Sequence, residues 1–270
     1  MKPVLFHHVY CPAPGPIGGV WRPILHDQLA KYRDSGLAEA GATMTLGVIG
    51  TEGDREELKA RLWQYPFIEK VIERDISEND DNLYEGATLQ PLWEWCVAHH
   101  GAGGERVAVC YTHSKGTVTY NACVHDWKEM MEYFIIECWR SAVQAIEEGA
   151  EIVGCDWKHA GDWHFSGNFW WAASDYIATL PDPRTDCAGP GKGYYDAGPN
   201  VGDNTRAKYE MWLASPVKTG RYVKVHELHN SGVDNHYLQP YPRKRYAPTR
   251  FQLTPDEEAW LRERYTRKAG

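Results

Sequence analysis

Val107-Ala108-Val109-Cys110-Tyr111-Thr112-His113-Ser114-Lys115-Gly116 sets an unbroken apolar run directly against a cluster of polar groups and a glycine. A strand with one wet face alternates apolar and polar residues, whereas an uninterrupted run fits a central parallel strand covered on both faces. The strand is expected over Arg106 to Tyr111, with Thr112 to Gly116 beyond its carboxyl end. In open α/β sheets, ligands bind outside the carboxyl ends of the strands.

Strand and helix patterns alternate on either side of this run. Pro3 to Tyr10 is an apolar strand followed by a loop, Cys11 to Gly19, too rich in proline and glycine for a helix. Trp21 to Ser35 has helical spacing through Trp21, Ile24, Leu25, Leu29 and Tyr32 and stops at Gly36. Strands are expected at Thr43 to Ile49, Ile68 to Arg74, Ile152 to Gly154 and Tyr222 to Leu228. Helices are expected at Asp54 to Tyr65, Thr88 to His100, Ser174 to Thr179 and Arg206 to Leu213. The longest helix, Asp126 to Glu148, carries a buried stripe that includes Trp127, Met131, Ile135, Trp139 and Ile146. Thr254 can cap a charged final helix. The expectation is an α/β chain with one Rossmann-like domain over residues 1–250. Its central sheet is mostly parallel with helices on both faces, and a C-terminal helix over 251–270 packs on the domain or extends from it.

Composition narrows the chemistry. With 270 residues, 43% of them hydrophobic, the chain can bury a large core. A net charge of −8 argues against general attraction to nucleic-acid phosphates, and so against a nucleic-acid acceptor. The one dense basic cluster, Arg243-Lys244-Arg245 with Arg250 nearby, reads as a solvated turn. Twelve tryptophans and sixteen tyrosines favour a ligand with flat or ring-shaped faces. Seven cysteines without a Cys-x-x-Cys pair read as reduced thiols. No apolar stretch nears the roughly 18 residues of a membrane span, and no basic-then-apolar leader opens the chain, so a cytoplasmic location is expected, in a cell or a virus-infected host.

The carboxyl-end rule gathers three segments: the loop after His7-His8-Val9-Tyr10, the Thr112 to Gly116 turn, and the residues after Val153-Gly154. The last of these includes His164-Phe165-Ser166-Gly167-Asn168-Phe169-Trp170-Trp171-Ala172, a small turn between aromatics. It reads as a substrate pocket, with an aromatic-rich core strand as the alternative. Twelve histidines include no His-Glu-x-x-His pattern. A metal could still be reached by His113 with Asp156, or with His226, His229 or His236, but no metal site is expected.

The order Tyr111-Thr112-His113-Ser114-Lys115-Gly116, a long Trp-containing helix, Val153-Gly154, His164 to Ala172 and Asp175-Tyr176-Ile177-Ala178-Thr179-Leu180-Pro181 resembles a group of bacterial and viral glycosyltransferases. Their pattern is close to Tyr-x-His-Thr-Lys-Gly followed by Gly-Asn-Phe-Trp-Trp, and the likeness spans most of Val4 to Tyr246. The resemblance implies a GT-A-like fold that binds a nucleotide-sugar donor, such as a UDP- or GDP-sugar, in its N-terminal half. A glycan or other hydroxyl acceptor would bind in the C-terminal half. Well-known members of that fold hold a divalent metal with Asp-x-Asp at the end of the central strand, where this chain has Thr112-His113-Ser114. Mn²⁺ or Mg²⁺ is therefore not expected, because hard cations want several oxygen ligands. Lys115, with Thr112, His113 and Ser114, would neutralise the diphosphate instead.

By the same resemblance Tyr10 stacks on the base and His8 reads its edge, while Asp75, Asp80 and Asp81 meet ribose hydroxyls or are simply solvated. Ser166, Gly167, Asn168 and Trp170 contact sugar or acceptor, and Trp171 faces the sugar or the core. Glu210, in Arg206-x-x-x-Glu210-x-Trp212, is the expected base, with Asp156 and Asp162 as competitors. Pro181 to Asn204 exceeds ordinary loop length and is expected to form a lid. The alternatives are a lectin-like carbohydrate-binding protein, which needs the aromatics but neither Lys115 nor Glu210, and a metal-dependent hydrolase.

Overall fold

A computed structural model describes residues 1–12, 20–79, 84–118, 121–159, 163–185 and 207–247. Among the described residues, seven strands make the central sheet: β1 (Pro3–Tyr10), β2 (Thr43–Gly50), β3 (Ile68–Asp75), β4 (Ala108–His113), β5 (Ile152–Cys155), β8 (Trp170–Ala173) and β9 (Val225–His229). A small hairpin, β6 (Trp157–Lys158) with β7 (His164–Phe165), lies between β5 and β8 in the chain. The spatial order is β3-β2-β1-β4-β8-β5-β9. All neighbours are parallel except β8, which runs against both β4 and β5. The chain is thus α/β with a mostly parallel sheet.

The apolar run beside Lys115 forms β4, all six of whose residues are buried. It starts two residues later than its pattern suggests and reaches His113, because pairing with β1 continues to His8↔His113. Thr112 and His113 are therefore strand residues, and the turn begins at Ser114. Strand alternation then separates them onto opposite faces.

The helices α1 (Trp21–Asp34), α2 (Glu52–Lys59), α4 (Ala122–Glu132) and α5 (Trp139–Glu147) cover one face of the sheet. The other face carries α3 (Gly86–Gly101), α6 (Ser174–Ala178) and α7 (Ala207–Trp212). α2 begins earlier than expected because the Thr51 hydroxyl accepts the amide of Asp54 and caps it. The single long helix expected over Asp126 to Glu148 is three pieces: α4, a π-turn at Tyr133–Glu137, and α5. Tyr133-Phe134-Ile135-Ile136 sets four aromatic and β-branched residues in succession, each a poorer helix former than Ala or Leu, and there the ladder widens. The carbonyl of Ile135 in this turn accepts the indole N–H of Trp171 at 2.8 Å. No helix among the described residues is long and apolar enough to cross a membrane.

α1 and α4 are joined by buried charge. The Glu132 carboxylate, fully buried, accepts from Lys31 at 2.6 Å, Lys128 at 2.9 Å and Gln28 at 2.7 Å. Both ammonium groups also pair with Asp27 and Glu129. Burial alone would lower the pKa of either lysine, but the surrounding carboxylates outweigh it and raise both. Asp27, Glu129 and Glu132 converge closely enough to hold a cation, and two lysine ammonium groups already serve that purpose. The Gln28 amide continues the network to the carbonyl of His113, directly behind the end of β4.

Candidate functional site

A cavity of about 260 Å³ opens at the carboxyl ends of β1 and β4. β1 contributes His8 and Tyr10, and β4 contributes His113 followed by the turn from Ser114 to Val118. The turn is tied back to β1: the amide of Ser114 donates to the His8 carbonyl at 2.8 Å, and the amide of Tyr10 donates to the Ser114 hydroxyl at 3.0 Å. Gly116, at φ +94°, lets the chain reverse there without a Cβ penalty. Lys115, only 6% exposed, places its ammonium 3.7 Å from the centre of the Trp127 ring on α4. Tyr237 lines the same wall.

The opposite wall is built around Glu85, in the turn before α3 and 3% exposed. Its Oε2 accepts from Asn168 Nδ2 at 2.5 Å, and its Oε1 stands 3.8 Å from His113 Nδ1. His113 Nε2 donates to the carbonyl of Gly167 at 2.9 Å, which fixes the ring, since a carbonyl can only accept. Asn168 Oδ1 accepts the indole N–H of Trp170 at 2.8 Å, so both ends of its amide are assigned. Backbone strain concentrates here, with Tyr84 at φ +36° and Asn168 at φ +58°. Gly167, at φ +89°, also has no room for a side chain: a Cβ would sit 2.4 Å from Met131 Sδ and 2.9 Å from the Trp127 ring.

The expected residues divide between cavity and scaffold. His8, Tyr10, His113, Ser114 and Lys115 line the cavity together. Thr112 does not, because alternation turns it to the α1 face, where its hydroxyl meets His7 Nδ1 at 2.7 Å and the Tyr32 hydroxyl at 2.5 Å. Trp170 and Trp171 are 1% and 0% exposed, packed on opposite faces of β8 as core rather than as cavity wall. Asn168 reaches the cavity through Glu85, Gly167 reaches it through His113, and the amide of Ser166 donates to the Asp156 carbonyl.

Asp156 follows β5 but lines no part of the cavity. It is buried at φ +51°, accepting from the Ser231 amide at 2.6 Å and hydroxyl at 2.9 Å and pairing with His236 at 2.7 Å. Burial pushes its carboxyl pKa up, but the hydrogen bonds from His236 and Ser231 win and hold it below the ordinary range. Glu210 is half-buried on α7 and is not among the residues lining the cavity. Asp75 is bound by Ser77 and Arg55 at the end of β3. Arg243, from the basic cluster, pairs in two-pronged fashion with Glu137. Asp80, Asp81, Asp162, Cys187, Arg206, Arg250, most of the 11–19 and 181–204 loops and the final helix lie outside the described residues.

Glu85, Tyr84, Trp127 and Tyr237 were not legible as site residues from sequence. A hard divalent cation takes six or more oxygen ligands in roughly octahedral or looser shells. Among the described residues the cavity offers one carboxylate, Glu85, already accepting from Asn168, so its donor set does not fit such an ion.

No curated protein matches the chain. Among solved structures, a protein from Desulfovibrio desulfuricans G20, provisionally named a nucleotide-diphospho-sugar transferase, is 15% identical over 85% of this chain and 80% of its own, with a TM-score of 0.38. A cytidylyltransferase from Leptospira borgpetersenii serovar Hardjo-bovis (strain JB197) is 8% identical over 98% and 96% of the two chains, with a TM-score of 0.44. A family model, the domain of unknown function DUF8361, matches residues 6–188, which contain Lys115, Glu85, His113 and Asn168. The chain belongs to the DUF8361 family.

Proposed function

We propose that the cavity binds a nucleotide sugar and that the protein transfers the sugar to a hydroxyl acceptor. The observation that carries this reading is a buried cation, Lys115, and a buried carboxylate, Glu85, facing one cavity at the carboxyl ends of β1 and β4. An inverting sugar transfer without a metal needs both. The acceptor oxygen attacks the anomeric carbon and the bond from that carbon to the diphosphate breaks. The electron pair leaves with the diphosphate, and the acceptor's proton goes to a carboxylate. In this reading Lys115 stabilises the departing diphosphate as a point charge, helped by the Ser114 hydroxyl, without a divalent metal. Tyr10 offers a flat face to the base, and Glu85 accepts the proton, a role that residue patterns alone gave to Glu210 or Asp156.

The test is a panel of UDP-, GDP- and TDP-sugars, with and without EDTA, read by thermal stabilisation and by donor hydrolysis. Stabilisation by at least one of them, unaffected by EDTA, is expected. No shift with any nucleotide refutes the transferase reading and favours the lectin-like one, and loss of activity in EDTA refutes the part given to Lys115. Glu85→Gln is expected to keep donor binding and lose transfer, while Glu210→Gln keeps both. The reverse result returns the proton acceptor to α7.

A further inference from the structure

The Lys115 wall of the cavity is held from outside. The Trp127 indole, on which the Lys115 ammonium rests, also carries the His236 imidazole, with centroids 4.9 Å apart and planes 8° from parallel. His236 Nε2 pairs with Asp156 Oδ2 at 2.7 Å, and that carboxylate is anchored in turn by the amide and hydroxyl of Ser231. Tyr237, the next residue, packs edge-on against Trp127 at 5.3 Å and lies 5.7 Å from the Lys115 ammonium. Contact therefore runs without a gap from the end of β5, through Asp156 and His236, across Trp127 on α4, to the cation at the end of β4. Neither Asp156 nor His236 lines the cavity. Asp156 keeps a left-handed backbone, uncommon for a non-glycine residue.

We infer that Asp156 and His236 are positioning residues for Lys115: they set the indole that aims its ammonium, and so tune the cavity for a diphosphate. The inference rests on the reading that Lys115 meets the donor's diphosphate. An ammonium over an aromatic face is held by the ring's quadrupole, so tilting the ring redirects the charge while leaving the rest of the cavity in place.

The probes are UDP and uridine, replaced by GDP and guanosine if the guanine pair gives the larger thermal shift. His236→Ala is expected to weaken UDP about tenfold, the scale of one such contact, with uridine unchanged. His236→Phe keeps a ring on Trp127 without the pair to Asp156 and recovers only part of the UDP affinity. Asp156→Asn, nearly isosteric, shows the same selective weakening and carries the comparison if His236→Ala fails to fold. In a Lys115→Met background, His236→Ala has no further effect. Equal weakening of UDP and uridine, or additive losses in the double variant, overturns the inference.

A second readout needs no ligand. In ¹³C-lysine-labelled protein, the ε-methylene signal that Lys115→Met removes is expected upfield, shifted by the Trp127 ring. It moves toward the free-lysine position in His236→Ala and moves less in His236→Phe. A signal unshifted in the wild type, or unmoved in His236→Ala, overturns the inference. If no nucleoside diphosphate binds, the transferase reading falls, and the lysine signal still decides whether His236 positions Lys115.

Discussion

His7 ties the stability of the β1–β4 pair to pH. Its ring lies fully buried between strands, with Nδ1 2.7 Å from the Thr112 hydroxyl and its edge against Tyr32. Burial, aided by the nearby His113 and His8, lowers its pKa from 6.5 to about 3. The folded ring thus stays neutral in mild acid, while the unfolded chain takes up a proton near pH 6.5, so between these values the unfolded state binds more protons. The stability contribution is complete above pH 6.5 and is lost as pH falls toward 3. One site with these two pKa values costs about 2 kcal/mol at pH 5.0 and approaches about 5 kcal/mol below pH 3. Urea unfolding of wild type and His7→Asn at pH 7.5, 6.0 and 5.0 isolates the effect, because the other histidines titrate in both. Wild type is expected to lose about 2 kcal/mol more than the variant between pH 7.5 and 5.0. Parallel pH dependences in the two proteins would refute the assignment of a neutral buried ring.

Glu132→Gln removes the charge that two buried ammonium groups share with Asp27 and Glu129, and should lower unfolding free energy by about 3–5 kcal/mol in urea; a loss below about 1 kcal/mol would show that the network is dispensable. Gly167→Ala combines a left-handed backbone with a Cβ pressed onto Met131 and Trp127, and should cost about 2 kcal/mol or more. An unchanged melting temperature would contradict the packing. Gly47→Ala would place a Cβ against the hydroxyl of Thr88, which bonds His8 Nδ1 at 2.9 Å. It should destabilise by about 1–3 kcal/mol, and less in a Thr88→Ala background, whereas equal costs in both backgrounds would place the clash elsewhere.

The centre of the sheet was readable because β1 and β4 are buried on both faces: Pro3–Tyr10 and the run ending at Tyr111 stand out against charged helices. What pattern could not supply was register. A shift of two residues at the end of β4 put Thr112 and His113 on the strand and sent Thr112 away from the cavity. The aromatic pair Trp170-Trp171 looked like a ligand surface because adjacency in sequence hides the alternation that buries one ring on each face of β8. Glu85 escaped notice because a carboxylate in an acidic, loop-like stretch resembles any solvated charge. Its chemistry appears only when Asn168 and His113, far away in sequence, close around it. Asp156 was legible as a residue at the right edge of the sheet, but its three polar partners come from Ser231 and His236, which carry no motif.

Because β8 runs against its neighbours, the chain leaves the carboxyl edge of the sheet at Cys155 and re-enters the same edge at Trp170. Both ends of that excursion are pinned by ladders, Gly154 to Trp170 on one side and Tyr111 to Trp170 on the other. Asn168 lies two residues ahead of the doubly paired Trp170, at a fixed post on that edge. Its amide therefore reaches Glu85 with the precision of the ladder rather than the play of a loop.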